Sequence, residues 1–301
     1  MAIKKVGIIG FGSIAKKHIT AIKKKLDQNN IFIISNQRDL SFSYSNKIND
    51  LVAFDPDLIM ICSETYKHYE NLIEVEKYFS SKIVFIEKPL FHKYKSIKPK
   101  KNNYLVGYNL RFHPIVSEIK KIIEGVKINY VELFCKSYLP EWRSSDYRSS
   151  YSSFKDKGGG VALDLSHEID LAQHLFGLFK KFEGSRHKIS NLEINSDDRF
   201  TSIGVTEKKI IVEINLNYFT KFEQRGMKIY GDDISIFIDF IKNEIQVNQS
   251  DNTQVFQTPS DVKDTYEIQI NKILSNELDL FCNFNEALSI NKLIDSTSFN
   301  D

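Results

Sequence analysis

The sequence is short of cysteine, with three in 301 residues: Cys62, Cys135 and Cys282. They are scattered, odd in number and set among apolar neighbours. That excludes a disulfide framework and a cysteine metal site, and it fits reduced, buried thiols in a cytoplasmic protein. Net charge is also scarce: 41 Lys and Arg against 39 Asp and Glu leave +2. No general field therefore draws in nucleic acid or an anionic membrane. The lysine runs (Lys23, Lys24, Lys25; Lys98, Lys100, Lys101) read as solvated helix ends and loops. Long apolar runs are missing, since none approaches the roughly 20 residues that span a bilayer. The run from Val6 to Gly12 is broken by glycines and too short for a signal peptide. There is no internal repeat, no low-complexity tract, no Gly-Lys-Ser/Thr of a phosphate-binding Walker loop and no HExxH.

What is present is ordinary globular material, 42% hydrophobic and 27% charged. The length fits two domains, at roughly 100–200 residues each. The first third alternates short apolar runs with helical spacing. Strands are expected at Ile3–Ile9, Ile31–Ser35, Leu58–Cys62, Ile83–Ile86 and Leu105–Val106. Helices are expected at Ile14–Leu26 and Tyr69–Phe79. Continuous apolar strands separated by helices predict an α/β domain, a Rossmann-type doubly wound parallel sheet, over 1–113. From 114 to 301 the pattern predicts a second, α+β domain. A helix over Ile115–Glu124 and a strand over Tyr130–Tyr138 lead into a polar, aromatic loop. A helical segment follows and ends at Gly177. Five strands come next, Phe200–Thr206, Lys209–Phe219, Met227–Gly231, Ile234–Asp239 and Glu244–Val247. Strands in succession build a large antiparallel or mixed sheet. Helices over Val262–Asn276 and Asn285–Ser296 close the chain, and the last is free to pack back on the first domain.

Three motifs carry chemistry. The first is Gly10-Phe11-Gly12-Ser13-Ile14-Ala15, between a strand and a helix. The first glycine allows the turn, and the second leaves room for a pyrophosphate. The third position needs only a small side chain, which Ala15 is. The second strand ends in Ser35-Asn36-Gln37-Arg38, with no carboxylate for a ribose hydroxyl. Arg38 suits a 2′-phosphate, which favours NADP over NAD. The second motif is Glu87-Lys88-Pro89 at a strand end, where a lysine can exchange a proton. The third is Gly158-Gly159-Gly160 followed by Asp164 and His167. One helix entered through a flexible glycine run would put both side chains on one face, as a proton-handling pair. A zinc site at His167, Asp170 and His174 lacks an evident third strong ligand, so no metal is expected.

Together these residues resemble the Gfo/Idh/MocA oxidoreductases, the glucose–fructose oxidoreductase and inositol dehydrogenase family. The resemblance runs through GFGSIAKKH, ICSETYKHYE, EKP, GYNLRFHP and GGGVALDLSHEID, and on to the closing helix. It implies a dinucleotide cofactor, NADP or NAD, and a sugar-type substrate. Lys88 would be the catalytic lysine, His167 its acid/base partner, and Asp164 the carboxylate that orients substrate hydroxyls. Gly10, Phe11, Gly12, Ser13 and Ile14 would cover the cofactor phosphates. Ser35, Asn36 and Arg38 would lie at the adenosine ribose. Ser63, Glu64 and His68 would line the cofactor, with Glu87 and Asn109 near the nicotinamide. Two departures stand out: only Leu165 and Ser166 separate Asp164 from His167, where three residues are usual, and Glu64 replaces a common proline. The stretch EWRSSDYRSSYSS looks like a subgroup of bacterial surface-glycan pathways. Arg111, Trp142, Arg143, Tyr147, Arg148 and Tyr151 are the substrate candidates. Flat rings suit sugars, and guanidinium groups suit a carboxylate or phosphate. Packing of those aromatics on the second sheet is the competing reading. The second sheet is expected to have one uncovered face, which a homodimer or homotetramer would bury, and the cytoplasm is the expected location. Rival functions are an NAD-dependent glycoside hydrolase and a non-enzymatic dinucleotide sensor.

Overall fold

Buried apolar strands and amphipathic helices alternate along the first hundred residues. The computed structural model describes residues 3–38, 41–250, 252–259 and 262–300. In chain order the elements are β1 (Val6–Ile9), α1 (Ser13–Ile22), β2 (Ile31–Ile34), β3 (Ser43–Ser45), α2 (Leu51–Phe54), β4 (Leu58–Ile61), α3 (His68–Tyr78), β5 (Ile83–Ile86) and β6 (Asn103–Val106). Then come α4 (Pro114–Ile122), β7 (Ile128–Tyr138), α5 (Val161–Asp164), α6 (His167–Phe176), β8 (Phe179–His187), β9 (Arg199–Thr206), β10 (Ile211–Asn217) and β11 (Phe219–Gly231). The chain closes with β12 (Ile234–Asp239), β13 (Glu244–Gln249), β14 (Asn252–Gln257), α7 (Asp264–Leu274), β15 (Cys282–Asn283), α8 (Phe284–Asp295) and β16 (Ser298–Asn300). It divides into two compact units, Met1–Asn109 with Lys263–Asn291, and Leu110–Val262 with Lys292–Asp301. No helix among the described residues is long and apolar enough to cross a membrane.

The first unit holds a seven-stranded sheet in the order β15-β6-β5-β4-β1-β2-β3. β1 to β6 run parallel, and β15 adds an antiparallel edge. Every residue of β1 and β4 is buried, as a sheet covered on both faces requires. Each such side chain contributes about 1.5–3 kcal/mol. The register aligns Ile9 with Ile34 and Ile61, Ile61 with Ile86, and Ile86 with Val106. The carboxyl ends of five strands are therefore level. The Gly10 loop, Ser35, Ser63, Lys88 and Gly107 follow from one row. The strand order reverses between β1 and β4, the position where open α/β sheets bind ligands. α1 buries Ala15, Ile19 and Ile22, and α7 packs beside it, with Lys24 and Glu267 paired at 2.5 Å.

The second unit holds a nine-stranded sheet in the order β14-β13-β12-β11-β7-β10-β9-β8-β16. It is mixed, because β10 runs parallel to β7, and β16 to β8. On β7 every second residue is buried (Val131, Leu133, Cys135), and α6 packs on this sheet. Glu132, Phe134 and Lys136 alternate with them and line a groove of about 820 Å³ on the other face.

The helix expected to carry both Asp164 and His167 is in fact two helices. Ser166 Oγ donates to the Leu163 carbonyl at 2.8 Å, the acceptor a continuous helix would offer to the His167 N–H. Leu165 then turns at φ −102°, ψ 29°, and α6 restarts at His167. The glycine run is held rather than loose. Gly160 sits at φ +122°, and a Cβ there would collide with the Asp197 carboxylate. The expected strand Lys209–Phe219 ends at Asn217, and β11 begins at Phe219, eight residues before its expected start. β3, β8, β14, β15 and β16 carry too weak an apolar alternation to stand out in the sequence; β14 is exposed throughout.

Candidate active site

The phosphate-loop geometry is set by two glycines with different tasks. Gly10 has φ +99°, and a Cβ there would lie 2.7 Å from the Cys62 carbonyl oxygen, so only glycine fits. Gly12 has ordinary extended angles, and a Cβ on it would meet nothing within 4 Å among the described residues. Among the described residues no side chain caps the α1 N-terminus. Free N–H groups and the positive helix end there fit a pyrophosphate. Ala15 is fully buried, which explains the small residue. Phe11 and Ile14 are half-buried and Ser13 is exposed, and the Lys16 ammonium lies 5.2 Å from the Phe11 ring centroid. Gln37 Nε2 donates to the Phe11 carbonyl at 3.4 Å, and Ser35 Oγ accepts from the Gln37 N–H at 3.1 Å. Asn36 and Arg38 remain exposed at the end of β2. A cavity of about 340 Å³ opens beside this edge, lined by Ile9, Ile34, Asn46, Asn49, Asn71 and Glu74.

Around Lys88 the same unit is tightly built. Lys88 follows β5, is half-buried, and precedes a cis bond to Pro89. Glu87 is buried, receives His18 Nε2 at 2.5 Å on Oε1, and accepts the Lys88 N–H at 3.2 Å on Oε2. His68 faces the carbonyls of Ser63, Pro89 and Leu90 at 3.0, 3.1 and 3.2 Å. It thus ties the Ser63 loop to the turn after Lys88 rather than presenting its ring to a ligand. Burial lowers its pKa. Ser63 Oγ accepts from Asn71 Nδ2 at 2.7 Å. Glu64 is exposed and pairs with Lys67 at 3.1 Å. Asn109 is buried, and its Nδ2 donates to Thr265 Oγ1 on α7 at 2.6 Å.

The second unit carries its own cluster. Asp164 Oδ2 accepts from Tyr218 OH at 2.6 Å, and both residues are buried. Burial and the Asp164 charge push the Tyr218 phenol up, so it stays a donor. The same two causes raise the Tyr151 phenol. The Arg143 guanidinium lies 5.3 Å from the Tyr151 ring centroid. Trp142 meets Tyr218 edge to face at 5.1 Å and donates Nε1–H to Ser137 Oγ at 3.0 Å. Trp142 thus reaches Asp164 through Tyr218, and Arg143 reaches it through Tyr151. The other candidates lie elsewhere. Arg148 is exposed and spent on Asp146 and Glu193, and Tyr147 OH accepts from the Glu193 N–H. Arg111 is buried, with Nε at 3.0 and 2.9 Å and Nη2 at 2.6 Å from the Asp170 carboxylate. That makes it a brace for α6 rather than a sugar ligand. His167 opens α6 and is buried; its neighbour Glu168 accepts from Arg225 Nε at 2.8 Å. Among the described residues no three His, Cys, Asp or Glu side chains are grouped to hold a metal.

Tyr218, Asp197 and His18 escaped the sequence reading. Asp197 caps α5 by accepting the Ala162 N–H at 2.9 Å. Burial pushes its carboxyl up to about 6. His18 carried a signal: it interrupts the apolar stripe of α1, where a polar residue needs a buried partner.

Residues 4–101 match the profile "Oxidoreductase family, NAD-binding Rossmann fold", and residues 116–237 match "GFO/IDH/MocA C-terminal domain". The chain belongs to the Gfo/Idh/MocA oxidoreductase family. Within that family it is similar to levoglucosan dehydrogenase of Pseudarthrobacter phenanthrenivorans, 28% identical over 202 residues, 58% of this chain and 51% of that protein. It is also similar to inositol 2-dehydrogenase of Rhizobium meliloti, 24% identical over 187 residues, 57% of this chain and 54% of that protein. The matched stretches span about half the length of these curated relatives. Among solved structures, levoglucosan dehydrogenase with NADH and levoglucosan superposes with a TM-score of 0.81 at 18% identity, covering 97% of this chain and 95% of that one. UDP-N-acetylglucosamine 3-dehydrogenase of Acidithiobacillus ferrooxidans gives 0.74 at 15%, covering 98% and 95%. At these identities the superpositions show the Gfo/Idh/MocA fold.

Proposed function

We propose that this protein is an NAD(P)-dependent dehydrogenase or reductase acting on a ring CH–OH of a sugar, sugar acid or nucleotide sugar. The observation that carries it is Lys88 at the carboxyl end of β5, level with an open, uncapped phosphate cradle at Gly12. The bound nicotinamide would supply the hydride acceptor or donor. The chain's residues do the rest. The α1 N-terminus and Gly12 hold the phosphates. The Lys88 amine takes the hydroxyl proton in the oxidative direction and returns it in the other. His167 exchanges that proton onward. Asp164, oriented by Tyr218, accepts a substrate hydroxyl, and Trp142 and Tyr151 offer ring faces to a sugar. Arg38, exposed at the end of β2, favours NADP. The sheet face with exposed Ile203 and Ile211 is the surface for a homodimer or homotetramer. Three buried cysteines outside any disulfide support a cytoplasmic setting, and the Trp142–Tyr151 loop supports a place in surface-glycan synthesis.

The test is NADPH and NADH binding by fluorescence, followed by turnover against free sugars, inositols and UDP-sugars. Lys88→Ala should bind cofactor and lose about a thousandfold in turnover. Cofactor bound with no turnover of any such compound points to a sensor. Cleavage of a glycoside without net cofactor change points to a hydrolase. Undiminished activity of Lys88→Ala removes the lysine from the mechanism.

A further inference from the structure

His18 has no assigned role, yet it lies fully buried on the helix whose N-terminus forms the phosphate cradle. Its Nε2 reaches Glu87 Oε1 at 2.5 Å. Its Nδ1 has no hydrogen-bond partner among the described residues. A proton on Nδ1 would be a buried, unsatisfied donor, so the arrangement favours the tautomer with the proton on Nε2, directed at the carboxylate. The ring is fixed by edge contacts to Phe85 and Tyr266, with centroids at 5.4 and 6.0 Å. Glu87 is equally constrained. A Cβ on Gly107 would come within 3.2 Å of both its oxygens, so the bare glycine makes room for the carboxylate. The second oxygen accepts the Lys88 N–H. One chain of contacts therefore runs from α1 through His18 and Glu87 to the backbone of Lys88.

We propose that His18 is a positioning residue for Lys88, acting through Glu87 so that the lysine is registered against the helix that holds the cofactor phosphates. This rests on Lys88 being the proton-transfer group. Lysine reach is long and flexible, and an imprecise backbone would be expressed as lost proton transfer rather than lost cofactor affinity. Glu87 also sets the local field. Its charge is felt by the Cys62 thiol, raised chiefly by burial, and by His68. The other groups around the pair are Lys88 and the Tyr266 ring, which the Lys17 ammonium covers at 5.0 Å.

The experiment compares His18→Gln, His18→Leu, Glu87→Gln and Lys88→Ala in the full chain. Gln keeps an N–H donor near the Nε2 position, and Leu fills the space without one. We expect His18→Leu to lose about tenfold or more in kcat, with the Kd for NADPH within about threefold of wild type, and His18→Gln to recover most of it. Glu87→Gln removes a negative charge beside Lys88, so the pH midpoint of kcat/KM assigned to the lysine should fall by about half a unit or more. Histidine ¹⁵N spectra of the cofactor-free protein should show His18 protonated on Nε2. The proposal is overturned if Lys88→Ala is inactive while His18→Leu and Glu87→Gln keep wild-type kcat and pH midpoint. It is equally overturned by an Nδ1–H tautomer, or by a loss that follows thermal stability alone with no pH shift. Should His18→Leu fail to fold, His18→Gln and Glu87→Gln decide by the same readouts. If Lys88→Ala is active, the assignment of Lys88 fails instead.

Discussion

Tyr218 gives its phenol hydrogen to Asp164 Oδ2 at 2.6 Å, and both residues are buried. A buried carboxylate on a one-turn helix is thereby held from the bend between β10 and β11, 54 residues further along. Tyr218→Phe should destabilise the protein by about 1.5–3 kcal/mol, the worth of a hydrogen bond to a charged group. Sugar KM should rise while cofactor Kd stays put. Denaturant unfolding and steady-state kinetics read the two effects separately, and unchanged KM would leave Asp164 with a purely structural task.

The two loop glycines should respond in opposite ways. Gly12→Val adds atoms where nothing lies within 4 Å, at angles any residue adopts. Its melting temperature should match wild type while dinucleotide affinity falls by about tenfold or more, because the pyrophosphate loses its approach to the backbone. Gly10→Ala puts a Cβ 2.7 Å from a carbonyl oxygen at φ +99°. It should lose stability first. Differential scanning fluorimetry with and without NADPH distinguishes them.

Asp170→Ala should cost about 3–5 kcal/mol, since it leaves Arg111 charged and buried without its bidentate partner. The measurement is the urea midpoint. A small loss would mean that Arg111 finds water or another acceptor.

Asp197 makes stability depend on pH with a definite sign. Burial lifts its carboxyl from 3.8 to about 6 in the folded chain. Between those values the folded state holds a proton that the unfolded state has released. Stability from this group is complete below about 4 and is lost as pH rises through 6. Asp197→Asn keeps an acceptor for the Ala162 N–H and abolishes the titration. Wild type relative to this variant should therefore lose about 2–3 kcal/mol from pH 4 to pH 7. A flat difference would show that the carboxyl ionises normally.

The Rossmann unit was legible because its cause is local. Short, β-branched apolar runs such as VGII and LIMI, bounded by turn residues, read as buried strands, and the glycine loop between β1 and α1 is short-range geometry. The same holds for Lys88, which stands at a strand end that the sequence marks with EKP. By itself the sequence determined the doubly wound sheet, the tight glycine turn after β1 and the family. What it left undecided depended on partners far along the chain. Ser166 ended a helix by taking the Leu163 carbonyl, so spacing alone predicted one helix where the chain forms two. Arg111 looked like an anion ligand until Asp170 claimed its donors, and Arg148 until Asp146 and Glu193 did. His68 was drawn inward by three carbonyls, and His18 found Glu87 across 69 residues. A polar side chain has no role written in its letter. Its task is set by whichever donor or acceptor tertiary packing brings within about 3 Å, and only the folded chain makes that choice.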